Sequence, residues 1–195
     1  MPQHVIALMD HVMEPAATWS SALTKPISTV KLLYHAIPWK LRTGFTTCHP
    51  RVISFLQALR TADSASKIGI AGFCWGGQHA IFLSHDDPSK HVSSQPLVDC
   101  IFTAHPSFLD VSKDIEGKLK IPTSVCVGDS DAVLKGADAK KMKEMMDGME
   151  GHEMVIEPGA KHGFAIRAHP EDKHEAECAN KAEEQALAWF AKWLG

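Results

Sequence analysis

The stretch Gly69–Ser84, GIAGFCWGGQHAIFLS, carries the residue with the clearest chemical promise: a cysteine, Cys74, held between Gly72 and the pair Gly76–Gly77. The apolar run Ile68–Phe73 reads as a buried strand and Gln78–Leu83 as a helix, so Cys74 falls on the joint between them. Residues without a β-carbon on either side let the chain turn sharply and let strand and helix approach closely. This is the G-x-S-x-G nucleophile elbow with sulfur in place of oxygen. A thiol at a sheet's C-terminal edge and a helix N-terminus feels the positive end of the helix dipole, which favours thiolate below the usual thiol pKa of about 8.5. The backbone N–H of the next residue, Trp75, stands where it can bind an oxyanion.

Such a nucleophile needs a base, and the base needs an orienting carboxylate, arriving in the chain order nucleophile, acid, histidine. After the apolar run Ser124–Val127, GDSDAV offers Asp129 and Asp131; after Met154–Glu157, PGAKHGFAIR offers His162. The plainer readings are a small buried hydrophobe for Cys74 and a surface-turn histidine, one of twelve, for His162. Order and position relative to the strands favour the triad. Whichever of Asp129 and Asp131 does not orient the histidine would cap its loop or the helix that follows. On the same sheet edge, His105 and Pro106 end the run Val98–Ala104, where His105 either lines a substrate pocket or is a satisfied structural histidine. Arg167, five residues past His162, suits a bidentate grip on a substrate carboxylate, or else a surface ion pair. The run His169, Glu171, Asp172, His174, Glu175, Cys178 holds metal-ligand types without a Cys/His knuckle, and reads as an acidic loop entering a helix. Neither metal nor cofactor is expected.

These residues must be carried by regular elements. Val5–Met9, Ile68–Phe73, Val98–Ala104, Ser124–Val127 and Met154–Glu157 have the length and composition of buried parallel strands. Helical stripes lie between and after them: Val52, Phe55, Leu56 and Leu59; Met142, Met145 and Met146; and Cys178, Ala182, Gln185, Ala186, Trp189 and Trp193. The alternation predicts an α/β fold with a doubly wound, mostly parallel sheet in a single domain over residues 1–195. Pro26, Pro38 and Gly44 interrupt residues 15–47, where one helix over Ser28–Ile37 is expected and the whole reads as a cap over a pocket.

Composition limits the function classes. A hydrophobic fraction of 45% and a charged fraction of 22% are those of a globular protein, and a net charge of -3 offers no field for nucleic acid or an anionic membrane. Five cysteines, an odd number without C-x-x-C spacing, point to a reducing, cytoplasmic setting, and the opening MPQHVIALMDHVMEP lacks the basic flank of a signal peptide.

Gly72-Phe73-Cys74-Trp75-Gly76-Gly77, Gly128-Asp129-Ser130-Asp131 and His162-Gly163-Phe164, in that order, resemble the motifs of the dienelactone hydrolase family of α/β-hydrolases, with the elbow in its fungal form. The resemblance runs from about Val5 to the C-terminus. It implies an α/β-hydrolase-like fold, a Cys74–Asp131–His162 triad with Asp131 as the acid, and hydrolysis of a small-molecule lactone or ester. The type activity is that of carboxymethylenebutenolidase. Against the family pattern the chain reads as N-terminally shortened: nothing before Val5–Met9 matches the opening hairpin, central strand and helix, and no residue matches the family glutamate that meets the resting thiol. The loop after that strand normally gives a second oxyanion donor, and losing one donor typically costs about 10²- to 10³-fold in rate. A non-catalytic ligand-binding homologue, or a redox-sensitive protein in which Cys74 is oxidised, is therefore the alternative. An empty slot in the sheet would leave backbone groups unpaired. The expected repair is direct pairing of Val5–Met9 with Ile68–Phe73, with Asp10–Met13 supplying the missing N–H; the other repair is a strand from a second copy in a homodimer.

Overall fold

The computed structural model describes residues 5, 7, 8, 11, 12, 19–169 and 171–195. They fall into two compact units, Met1–Arg51 and Val52–Gly195.

In the first unit, α1 (Trp19–Thr43) runs through both Pro26 and Pro38; α2 (Phe45–Ala62), whose residues from Val52 on belong to the second unit, contains Pro50. The expected breaks at Pro26 and Pro38 are thus absent. A proline removes one intrahelical bond, but its neighbours can keep theirs, so a long helix can continue past it. Val5, Ala7, Leu8, His11 and Val12 are helical, which overturns the strand expected over Val5–Met9; Ile6, Met9, Asp10 and Met13 lie outside the described residues. The reason is legible afterwards. Apolar residues at 5, 8, 9 and 12 fall at i, i+3, i+4 and i+7, so the same short run fits a helix as well as a strand.

The second unit is a parallel sheet of four strands in the order β1 (Gly69–Phe73), β2 (Cys100–Ala104), β3 (Thr123–Gly128) and β4 (His152–Glu157). Helices join them: α3 (Trp75–Ser84) after β1, α4 (Val111–Asp114) after β2, α5 (Gly136–Asp147) after β3, and α6 (Phe164–Arg167) and α7 (Lys173–Leu194) after β4. All residues of β2 and β3 are buried, as strands covered on both faces must be. Alternate side chains divide between the two faces of the sheet. Cys100, Phe102, Ala104 and Cys126 pack with Cys178, Ala182 and Trp189 of α7, whereas Val125 and Val127 meet Ile81 of α3 and Met142 and Met146 of α5. The stripes expected on α5 and α7 are the faces these helices bury. On α2 the buried face turns instead toward Leu56 and Arg60, with Val52 and Ile53 partly covered, while Phe55 and Leu59 are 65% and 39% exposed. Among the described residues β1 pairs with β2 alone, so the expected pairing of residues 5–9 with β1 is not found.

The start of β1 is fixed by a buried cation. Arg60 donates to Ser66 O (2.7 Å), Pro96 O (3.1 Å) and Asp99 Oδ2 (2.7 Å), and the same carboxylate accepts from Ile68 N at 2.7 Å. The far end of β1 is the elbow. A β-carbon on Gly72 would stand 2.7 Å from Gly76 O and 2.8 Å from Ala80 Cβ; one on Gly77 would stand 2.6 Å from Thr103 Oγ1 and 2.7 Å from Pro106 Cβ. Gly76 has open space instead. Overpacking costs about 1–3 kcal/mol, so Gly72→Ala and Gly77→Ala should each lower stability by that amount in urea unfolding followed by circular dichroism. Gly76→Ala should leave it unchanged or raise it by up to about 1 kcal/mol, since alanine favours helix.

Candidate active site

Four strand ends deliver one group each to the same edge of the sheet: Cys74 after β1, Ser107 after β2, Asp131 after β3 and His162 after β4. Cys74 occupies the N-cap of α3 with φ 53° and ψ -117°. A non-glycine residue there is strained, and the strain turns the thiol out of the sheet. Its amide donates to Ala104 O at 3.3 Å, and its carbonyl accepts from Gly77 N and Ser107 N, both at 3.0 Å. The elbow is thereby tied to the helix behind it and to the loop beside it.

His162 Nε2 lies 3.2 Å from the sulfur. Its Nδ1 meets Asp131 Oδ1 at 3.0 Å and Oδ2 at 2.9 Å, which requires Nδ1 to carry the proton. Asp131 Oδ1 also accepts from Val133 N (2.7 Å) and Leu134 N (3.1 Å), so the carboxylate is held before it meets the ring. The Asp131 and His162 side chains are 0% and 3% exposed, which keeps the pair out of competition with water. Asp129 has another place: its Oδ1 accepts from Gly159 N at 2.7 Å and from Ser130 Oγ at 2.9 Å, joining the loop after β3 to the loop that carries His162.

Electrostatics separates this thiol from the others. Burial alone would raise the Cys74 pKa, but hydrogen bonds from His162 and Ser107, the imidazolium charge and the Trp75 N–H together bring it down to about 7. Burial would likewise lower His162, yet Asp131 and the sulfur lift it to about 9. Each partner's charge thus favours the other's, thiolate with imidazolium. Buried Cys100 and Cys126, without such donors, are pushed up to about 11 and about 12. All five cysteines are free.

His105 is fully buried. Its ring stands edge-on to that of His162 with centroids 5.1 Å apart, near Phe164 and Phe73, and neither ring nitrogen has a hydrogen-bond partner. Burial and the His162 charge hold it down to about 4, hence neutral. It supports the imidazole from behind. The Arg167 guanidinium folds over Gly163, within 2.4–2.8 Å of where a β-carbon on that glycine would be. Asp172 caps α7, accepting from His174 N and Glu175 N, in the acidic run that held metal-ligand types. Among the described residues no group of His, Cys, Asp and Glu could hold a metal ion, and no helix is long and apolar enough to cross a membrane.

Sequence reasoning missed Ser107. Its Oγ lies 3.4 Å from Cys74 Sγ and 3.3 Å from His162 Nε2. The signal was a hydroxyl residue one position past the His105–Pro106 pair already placed on this edge.

The family model of dienelactone hydrolases matches residues 45–194. The hydrolase tropI of Talaromyces stipitatus is 26% identical over 149 residues, covering 76% of this chain and 54% of that protein. The carboxymethylenebutenolidase homolog of Xenopus tropicalis is 25% identical over 166 residues, with 80% and 61% covered. The chain thus spans between half and two thirds of the length of these relatives. Among solved structures, a putative dienelactone hydrolase from Klebsiella pneumoniae superposes with a TM-score of 0.54 at 24% identity, over 73% of this chain and 58% of the other. The carboxylesterase Cest-2923 of Lactobacillus plantarum gives 0.55 at 15% identity, over 72% and 66%. The fold is that of the α/β-hydrolases.

Iodoacetamide labelling of Cys74, read by mass spectrometry across pH, should rise through a midpoint near 7. Asp131→Asn removes the carboxylate that sustains the imidazolium and should raise that midpoint by about one unit or more, at 1.36 kcal/mol per unit. Asp129→Asn, which leaves that carboxylate in place, should move it far less.

Proposed function

Because this chain belongs to the dienelactone hydrolase family, we propose that it is a cysteine-dependent carboxylic ester hydrolase acting on a small-molecule lactone or ester. The observation that carries this reading is the continuous hydrogen-bonded line Cys74–His162–Asp131, 3.2 Å and 2.9–3.0 Å at its two joints.

The thiolate is the resting nucleophile. Its sulfur attacks the carbonyl carbon while the carbonyl π electrons move to oxygen, and the Trp75 N–H that faces the sulfur at rest turns to that oxyanion. As the tetrahedral species collapses, His162 Nε2–H protonates the departing alkoxide or enolate, leaving a thioester on Cys74 and a neutral imidazole. In a lactone the released hydroxyl or enol stays attached to the acyl group. Neutral His162 then takes a proton from water, hydroxide adds to the thioester, and collapse expels the thiolate with the imidazolium restored. Asp131 keeps the proton on Nδ1 throughout, so that Nε2 alone exchanges protons with the reactants. Arg167, at the end of α6, is the cation that would meet a substrate carrying its own carboxylate.

The decisive experiment offers a panel of p-nitrophenyl esters and enol-lactones to the protein and to Cys74→Ala. Turnover by the wild-type chain that falls at least about 10⁴-fold in the variant is expected, as for loss of a triad nucleophile. Equal turnover in both would remove Cys74 from the mechanism. Low-pH labelling of Cys74 without any turnover would instead favour the non-catalytic or redox-sensitive reading.

A further inference from the structure

We propose that the hydroxyl of Ser107 is a further catalytic residue of this site, donating a hydrogen bond to the Cys74 thiolate while its oxygen shares the single Nε2–H of the His162 imidazolium with the sulfur. The inference rests on the Cys74–His162 reading above and adds a group to it.

Three polar atoms form a closed triangle: Sγ to Nε2 3.2 Å, Sγ to Oγ 3.4 Å, Oγ to Nε2 3.3 Å. How protons fill that triangle differs between the two charge states. In the neutral pair the thiol and the hydroxyl carry one proton each and Nε2 has a single lone pair, so the sulfur itself acts as a donor. In the ion pair the sulfur becomes an acceptor, with Nε2–H, the Ser107 O–H and the Trp75 N–H as available donors. Hydrogen bonds to a charged partner are roughly twice as strong as neutral ones. Ser107 therefore favours the thiolate, and it lies among the influences that lower the Cys74 pKa.

The position of the hydroxyl is built, not incidental. Ser107 is 3% exposed, and its amide donates to Cys74 O at 3.0 Å, so one residue bonds the nucleophile through both backbone and side chain. Pro106, directly before it, presses into the space that the missing side chain of Gly77 leaves. Gln78 Nε2 donates to Phe108 O at 2.9 Å on its other side. The turn holds two non-glycine residues at positive φ, His105 at 40° and Phe108 at 60°, flanking Ser107. Such conformations persist only where surrounding contacts enforce them, and they cluster where geometry serves chemistry. A hydroxyl within reach of both Sγ and Nε2 stands on the path of the transferring proton. It is therefore placed to act on the charge of the sulfur and not on the oxyanion.

The test is the pH profile of Cys74 alkylation by iodoacetamide in Ser107→Ala, compared with the wild-type chain. The midpoint should rise by about one unit, which is tenfold less thiolate below it, while the plateau rate at high pH stays within about twofold. Ser107→Thr, which keeps the hydroxyl, should restore the wild-type midpoint. Ser107→Gly removes the hydroxyl without placing a methyl against His162, and should shift the midpoint as Ser107→Ala does; it decides the matter if the alanine variant does not fold. An unchanged midpoint in a folded variant without the hydroxyl overturns the proposal. Absence of ester turnover in the wild-type chain would defeat the hydrolase reading but not this one, because alkylation reports the thiolate alone.

Discussion

Negative charge on a half-buried sulfur is the constraint around which the second unit is arranged. Burial opposes that charge, and in Cys100 and Cys126, where burial is joined by the nearby carboxylates of Asp99 and Glu157, it drives the thiols up to about 11 and about 12. The same physics acts on Cys74, yet its thiol comes down to about 7 because donors are already in place when the proton leaves. Each donor arrives from a different strand end, so the charge depends on the register of the whole parallel sheet. A parallel sheet suits this task because all its strands end on the same edge.

The sheet was legible because its central strands are continuous apolar runs closed by polar or glycine-rich turns. Val98–Ala104 contains β2, Ser124–Val127 lies within β3, and Met154–Glu157 lies within β4. Helical spacing identified the covering faces of α5 and α7 for the same reason: a helix beside a sheet must bury one stripe. Cys74, Asp131 and His162 could be placed because each lies within five residues of the end of an apolar run, Cys74 immediately after it, and the order of runs is the order of the elbow, the acid loop and the histidine loop.

Sequence reasoning failed where two periods fit the same residues or where the partner is distant in the chain. Residues 5–12 satisfy a helical stripe and a short strand equally, and only the fold decides between them. The prolines of α1 signal breaks by their chemistry, whereas the helix runs on continuously through both. Arg60 looks like the charged end of an amphipathic helix, and nothing local reveals that Ser66, Pro96 and Asp99 will surround its guanidinium. His105, whose place after β2 left it open between a pocket residue and a structural histidine, is fully buried at a φ of 40°, with its ring edge-on to that of His162.

The two carboxylates of GDSD show how a short motif serves both architecture and chemistry. They are two residues apart, and their surroundings divide the roles. Asp129 Oδ1 accepts from Gly159 N, while Asp129 N donates to Glu157 O at 3.1 Å and Ser130 N to Ala160 O at 3.2 Å. Three bonds thus lace the loop after β3 to the end of β4 and the loop that follows it, within five residues of His162. That lacing fixes the distance over which Asp131 must reach the imidazole, and Val133 N and Leu134 N fix its direction. A carboxylate held from both sides loses little freedom when it binds the ring, so its attraction goes into keeping the Nδ1 proton in place. Asp129 is therefore a positioning residue for the Asp131–His162 pair, which it does not touch. A change at position 129 would be felt as a looser approach of His162 to the sulfur, whereas a change at 131 alters the charge that the imidazole can carry.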